Sequence, residues 1–564
     1  MSIGYRTFQS AGKISQHIIP GAFSRIDSVK GAGGLVSANN GVIMGQGYGL
    51  KPATLYQFNS SPEAMNALYG GPLKEAVRLA FDPGSDLTPQ KLFVMAVNAA
   101  VQSFGYLKQG VDNMIKLLAE GYGLHTNMIT MKLETGTSYG KKLTLTFKDI
   151  VEQWDNIRQQ MLTIQYTGGA CTMTIVNNST THTLVTSVGG LNLDLTAYPT
   201  IGELVAYIAS QTNFTCVAIA GAENLSPTTL DQVTTLDING SAKTVEATMY
   251  AIINTINAYS NLVSASDVSA AIGIKIPDNL VQTYLTGGAN GTYSGTEWTA
   301  ALLALEAQDI QFISTPDGTS SVHAAIKTHC ALMSGVTKRK ERQFIVGAVW
   351  GEVAETSIAA AITLNSYHGM YVVNGGTQRD INGTIQNWGA SYVACMLMAM
   401  KCAGSINMPL TSKVLNLISL ENALADSAVE SLLANGCCVI NYNDTRLPAV
   451  VRQLNTYQTD DLKYNEFSMV TEMFYASRDL RTQLQNLFIG NPMIRTAKGI
   501  LLGAVKDKLQ QYVDIGIFTA DSQDRTFWNV IVRSVGDTVY VDYDANITAP
   551  INFIFVTAHM HEAV

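Results

Sequence analysis

The sequence is poor in charge, and the charge it has is dispersed. Lys, Arg, Asp and Glu make up 14% of the residues, against about 25% in an ordinary soluble domain. The densest basic cluster is KRKER at 338–342, and the net charge is −8. So short a cluster reads as a solvated loop or helix end, and no nucleic-acid partner is expected. The cysteines Cys171, Cys216, Cys330, Cys395, Cys402, Cys437 and Cys438 are odd in number, irregularly spaced and without a C-x-x-C. That pattern argues against a disulfide framework and a zinc site, and it fits folding in a reducing compartment. Long apolar runs are missing too. VACMLMAM at 393–400, ended by Lys401, falls well short of the roughly 20 residues of a membrane span. The N-terminal MSIGYRTFQSAGKISQH has no apolar segment of the secretory kind, so no signal peptide and no membrane partner are expected. Few charges on a chain of 564 residues point to surface that stays covered in a permanent assembly.

What is present divides into blocks. Residues 1–19 are polar with scattered Tyr5, Phe8, Ile14 and Ile18, and read as an extended arm closed by Pro20-Gly21. Residues 20–150 form an N-terminal α/β region. It holds the strand and loop GVIMGQGYG and the helix SSPEAMNALYGG, with Ser60 and Glu63 as a capping box. A second helix, PLKEAVRLAFD, the strand KLFVMAVN and a hairpin over 128–147 complete it. Residues 151–294 are rich in Thr, Val and Gly and read as an inserted β-rich domain containing helices near 200–210 and 243–260. Over 295–445, strands DIQFIST, RQFIVGAVWG and GMYVVNGG alternate with helices, the signature of a doubly wound α/β domain. Residues 446–564 form an α+β domain. Its helices are expected over 466–488 and 493–512, and its strands over 526–534, 538–544 and 551–560.

Each candidate for chemistry fails on context. Gly45 and Gly47 open like a dinucleotide fingerprint, but Leu50 stands where the third glycine belongs, and the helix starts about ten residues late. GTSYG at 136–140 spells G-x-S-x-G, yet Ser138 sits between two alternating strands and not at a strand-to-helix elbow. GASYVAC at 389–395 faintly resembles the serine motif of subtilisin-like proteases, but His368 lies only 23 residues before Ser391 and lacks the expected context. His559 and His561 are two imidazoles, too few for a metal site. No catalytic residue, cofactor or metal is assigned, and no enzyme is expected. The rival reading is an α/β hydrolase-type or dinucleotide-dependent enzyme built on 295–445.

An ordered set of segments resembles contractile, myovirus-type tail sheath proteins of phages. It comprises PGAFSRID (20–27), GVIMGQGYGLKPATLYQFNSSPEAMNALYGGPLKEAVRLAF (41–81), KLFVMAVNAA (91–100), MVTEMFYASRDLRTQLQNLFIGNP (469–492), AKGILLGAVKDKLQQYVDIGIF (497–518) and GDTVYVDYDANITAPINFIFVTA (536–558). The resemblance implies a subtilisin-like-fold domain without protease activity at 295–445. It also implies a virion subunit that stacks in sixfold rings around an inner tail tube and contracts from a metastable extended state. A related contractile injection particle is the near alternative. The implied partners are further copies of the chain, the tail tube protein, and baseplate and neck or terminator proteins. The implied location is the virion tail, assembled in the host cytoplasm.

Both ends are expected to join neighbours by strand addition. The arm can reach at most about 65 Å at full extension and carries Tyr5, Phe8, Ile14 and Ile18. The last strand sets Ile551, Phe553, Phe555 and Thr557 on one face. Lys498, Lys506 and Lys508 on the second C-terminal helix are candidate contacts to an acidic tube surface.

Overall fold

The computed structural model describes residues 39–490, 497–536, 538–554 and 557, together with strands Arg6–Ser10 and Lys13–His17. The chain divides into two units, one of residues 39–470 and 550–564, the other of 1–38 and 471–549.

The first unit is built on an eight-stranded sheet. Its order is Pro448–Val450, Cys437–Tyr442, Gly369–Val373, Gln343–Gly347, Phe312–Ser314, Gly41–Gly45, Leu92–Ala96 and Tyr56–Phe58. The six inner strands run parallel, and an antiparallel strand closes each edge. Strands Gly41–Gly45, Gln343–Gly347 and Gly369–Val373 are buried at every position, as a parallel sheet covered on both faces requires. The cover includes helix Ala390–Ala403, buried all round from Ala390 to Lys401 apart from Tyr392. Lys401 sits in that core because its ammonium donates to the carbonyls of Ile406 and Met408, each at 2.7 Å, which offsets its desolvation.

This sheet corrects the boundary expected at residue 150. Strands Gly41–Gly45 and Leu92–Ala96 belong to the same sheet as Phe312–Ser314. The chain leaves the α/β domain after 100 and returns near 290. The β-rich excursion therefore starts at Phe104–Gln109, well before 151. Local periodicity shows strands, not which distant strands share a sheet.

The excursion is itself nested. Sheets Val263–Asp267, Asp112–Ala119, Phe104–Gln109 and Ile150–Ile157, Lys141–Phe147, Thr130–Thr135, Leu280–Tyr284 share one apolar core with helix Thr248–Tyr259. Residues 160–247 leave this layer to form two further small sheets around a separate core, centred on Leu162, Ile164, Leu204 and Ile208. The segment expected as helix over 243–260 begins as strand Lys243–Glu246, and the helix starts at Thr248.

The second unit contains most of helix Phe467–Phe488, helix Ala497–Asp514 and the hairpin Phe527–Val535 with Thr538–Ala545. Its N-terminal strands Arg6–Ser10 and Lys13–His17 pair antiparallel, Phe8 opposite Ser15 and Gln9 opposite Ile14. The arm expected to be extended therefore pairs strand with strand within itself. Tyr5 and Ile18 lie outside the described residues.

Two other expectations change. Residues 551–554 form no strand, since nothing among the described residues supplies a ladder partner; Phe555 lies outside the described residues, and Thr557 is exposed. Ser60 is the helix N-cap but its side chain makes no cap bond. Glu63 instead accepts from the Asn59 N–H at 2.8 Å, one residue earlier than a capping box needs. Among the described residues no helix is long and apolar enough to cross a membrane.

Candidate assembly surfaces

In a doubly wound sheet a ligand binds outside the carboxyl ends of the strands, where the strand order reverses. Here the order reverses between Gly41–Gly45 and Phe312–Ser314, which places the opening glycine loop at that point. The chain fills the crevice itself. A Cβ on Gly45 would lie 3.1 Å from Pro316, and Ser391 Oγ donates to the Pro316 carbonyl at 2.8 Å. The Gly47 N–H donates to Asn98 Oδ1 at 2.9 Å. Gly49 has φ of +108° and passes so close to the Ala67 carbonyl that a Cβ would lie 2.3 Å from it. These glycines serve close backbone packing and a left-handed turn.

The other chemical candidates are engaged elsewhere. Ser138 lies in the turn between Thr130–Thr135 and Lys141–Phe147, its N–H donating to Asn156 Oδ1 at 2.8 Å. His368 Nδ1 lies 3.3 Å from the Arg342 carbonyl, and burial lowers the pKa of its ring. Ser391 thus has a carbonyl for a partner where a triad needs an imidazole. Burial pushes the Cys330 and Cys395 thiols up to about 12, which removes nucleophilic thiolate at neutral pH. No cluster of three or more His, Cys, Asp or Glu among the described residues is placed to hold a metal; His559 and His561 lie outside them.

The surfaces suited to contact are at the C-terminal segments. Ile551, Phe553 and Ile554 are 82%, 69% and 78% exposed. The segment is pinned between them. Asn552 Nδ2 donates to Glu466 Oε1 at 2.9 Å, and the same carboxylate pairs with Arg452 at 2.7 Å. The Arg452 guanidinium lies 5.6 Å from the Phe553 ring centre, within cation–π range. The hairpin Phe527–Val535 with Thr538–Ala545 is two-stranded and mostly exposed. Both of its edges lack a strand partner among the described residues, and an isolated two-stranded sheet is marginal in water.

The three candidate lysines separate. Lys498 and Lys506 are exposed, as a docking role requires. Lys508 is buried and cannot reach a partner. Its Nζ lies 2.7 Å from Asp479 Oδ2, with side-chain exposures of 1% and 2%, and Tyr512 OH donates to the same oxygen at 2.9 Å. The signal was available in the sequence. Leu501, Val505, Lys508, Leu509 and Tyr512 are all buried and follow the i, i+4, i+7, i+8, i+11 spacing of one helix face.

One feature has no signature in sequence, because it joins residues far apart. An open cleft of about 840 Å³ is lined by Tyr48, Tyr69, Leu124, His125, Met128 and Tyr284, among others. Tyr69 stacks on His125 with ring centres 3.9 Å apart. Burial, with Lys148 nearby, lowers the His125 pKa to about 4.

Comparison with known proteins agrees with this architecture. No family model matches the chain. The tail sheath protein of Bacillus phage SP01 is 25% identical over 96% of this chain and 95% of its own length. The putative tail sheath protein of Enterococcus phage phiEF24C is 25% identical over 91% of each chain. Among solved structures, the sheath tail protein of Desulfitobacterium hafniense superposes with a TM-score of 0.55 at 14% identity, covering 93% of this chain and 96% of that one. The fold is thus a multidomain α/β architecture of the kind seen in sheath tail proteins, and the chain resembles the tail sheath proteins of contractile-tailed phages.

Proposed function

We propose that this chain is the structural subunit of a contractile tail sheath, located in the virion tail and assembled in the host cytoplasm. The observation that carries the reading is the similarity to phage tail sheath proteins along nearly the whole length. In this reading the α/β domain has the subtilisin-like fold without its chemistry, and the β-rich excursion is a decoration of the outer surface. Subunits stack as sixfold rings around an inner tube and meet baseplate and neck or terminator proteins at the ends. Contraction needs no cofactor, because the extended lattice is a higher-energy packing of the same subunits that a trigger releases.

Cohesion through contraction comes from shared sheets. The two-stranded hairpin 527–545 offers two open edges, and the residues around 6–17 and 551–557 are the strands a neighbour would donate. The donated N-terminal strands carry Phe8 and Ile14, and the C-terminal one carries Ile551 and Phe553. Lys498 and Lys506 face the tube. Deletion of residues 1–19 is expected to leave a folded, soluble subunit that forms no tubes. Negative-stain microscopy of the full-length protein should show rings or striated tubes. Uniform small particles from full-length protein, or tubes from the truncated chain, would count against the reading.

A further inference from the structure

We infer that the aromatic cleft at the carboxyl end of the eight-stranded sheet receives the acidic loop at residues 459–462 of a second copy of this chain. The inference rests on the sheath reading for the existence of a polymer, and adds a contact that the terminal segments do not make.

The cleft is apolar with a basic rim. Tyr48, Tyr69, Leu124 and Tyr284 line it, and no acidic residue does among the described residues. Leu124 and Tyr284 are exposed large side chains, so water-facing apolar surface is concentrated there. Lys148 Nζ lies 4.8 Å from the Tyr69 ring centre, and Lys74 Nζ lies 3.5 Å from the Tyr69 carbonyl. Burial lowers the Lys74 pKa against the opposing pull of the Glu75 carboxylate, and the charge of Lys148 lowers it as well. The neighbouring acid Glu75 is engaged by Arg78 at 2.7 Å. Two ammonium groups beside an apolar hollow favour an occupant with an aliphatic side chain next to carboxylates.

The loop Thr459-Asp460-Asp461-Leu462 has that composition. Leu462 and Asp460 are exposed. Asp461 caps the short helix Leu462–Asn465, accepting from the Lys463 N–H at 3.3 Å, and it pairs with Lys463 Nζ at 3.3 Å, so the loop is a formed turn and Asp460 carries the carboxylate left for a neighbour.

Topology sets the two features at opposite ends of one sheet. Tyr48 follows Gly45, the last residue of a parallel strand. The loop follows Thr456, whose N–H donates to the carbonyl of Gly369, the first residue of another. A contact between different surfaces at opposite ends is heterologous. It propagates from copy to copy as a ring or filament, where a self-complementary patch would stop at a dimer.

The test is a cysteine pair, Leu124→Cys with Leu462→Cys, in the full chain. Six of the native cysteines are buried and Cys402 is half-buried, so background coupling is low. Oxidation of assembled protein is expected to give a ladder of covalent multimers on a non-reducing gel, with neither single variant doing so. Intact tubes without the ladder would overturn the contact and leave the sheath reading standing. Dimers alone would overturn it in favour of a back-to-back contact, and a chain that neither assembles nor couples would overturn both. As a second readout, Lys148→Glu is expected to raise the critical concentration for assembly about tenfold, an effect of one charge pair. Asp460→Lys in the same chain should restore it to within about threefold, and a double variant no better than Lys148→Glu alone would refute the pairing.

Discussion

Replacing Lys508 with Met isolates the energetics of the helical unit. The ammonium and the Asp479 carboxylate are 1% and 2% exposed and 2.7 Å apart, so solvent screening is small. Removing one member of such a pair leaves a charge in a dry environment, at a cost of about 3–5 kcal/mol. Asp479 keeps the Tyr512 hydroxyl at 2.9 Å, which places the expected loss near the lower end, about 3 kcal/mol. At about 1.4 kcal/mol per factor of ten, amide protection in helix Ala497–Asp514 should fall roughly a hundredfold by hydrogen exchange. Peptides from Ala390–Ala403, in the other unit, should not change. The double variant Lys508→Met with Asp479→Leu should recover to within about 1 kcal/mol, since an apolar pair of similar volume replaces the ion pair. A loss of protection under about threefold in the single variant would falsify the claim that this pair is buried and fixes the two helices.

Three further outcomes follow. His329 is held neutral beside Arg342, with its pKa lowered to about 4 by burial first and by the guanidinium second. The unfolded chain takes up that proton near 6.5, so stability is full above that pH and about 3 kcal/mol is lost as pH falls toward 4; Tm should fall less steeply over this window in His329→Gln. A Cβ on Gly347 would meet the Ala390 carbonyl at 2.4 Å, so Gly347→Ala should push the central helix off the sheet and cost about 1–3 kcal/mol, read as a lower denaturation midpoint. Ile551 is exposed in the single chain, so Ile551→Asp should leave Tm within about 1 °C, a surface change, while abolishing tubes in a sedimentation assay.

Much of the architecture is legible in the sequence where burial imposes a period. The continuous apolar runs at 41–45, 344–347 and 369–373 lie on inner parallel strands, and the helices over 320–334 and 390–403 stand where the alternation implies. What was not legible depends on long-range pairing. Leu92–Ala96 joins the inner strands through Gly41–Gly45, which pairs with a strand some 270 residues later. Nothing local separates the core of Leu204 and Ile208 from that of Ile252 and Ile256, because both helices carry the same apolar stripe. Lys508 reads as a surface residue by type, but the helix repeat puts it on the buried face. The cleft escaped because Tyr48, Tyr69, Leu124 and Tyr284 come from four separate segments.

The most direct test of the account is a helical reconstruction of the assembled protein. It predicts sixfold rings in which strands from neighbouring subunits flank the hairpin 527–545 and turn two strands into a larger shared sheet. A tube in which that hairpin stays two-stranded and its neighbours contribute no backbone pairing would contradict it.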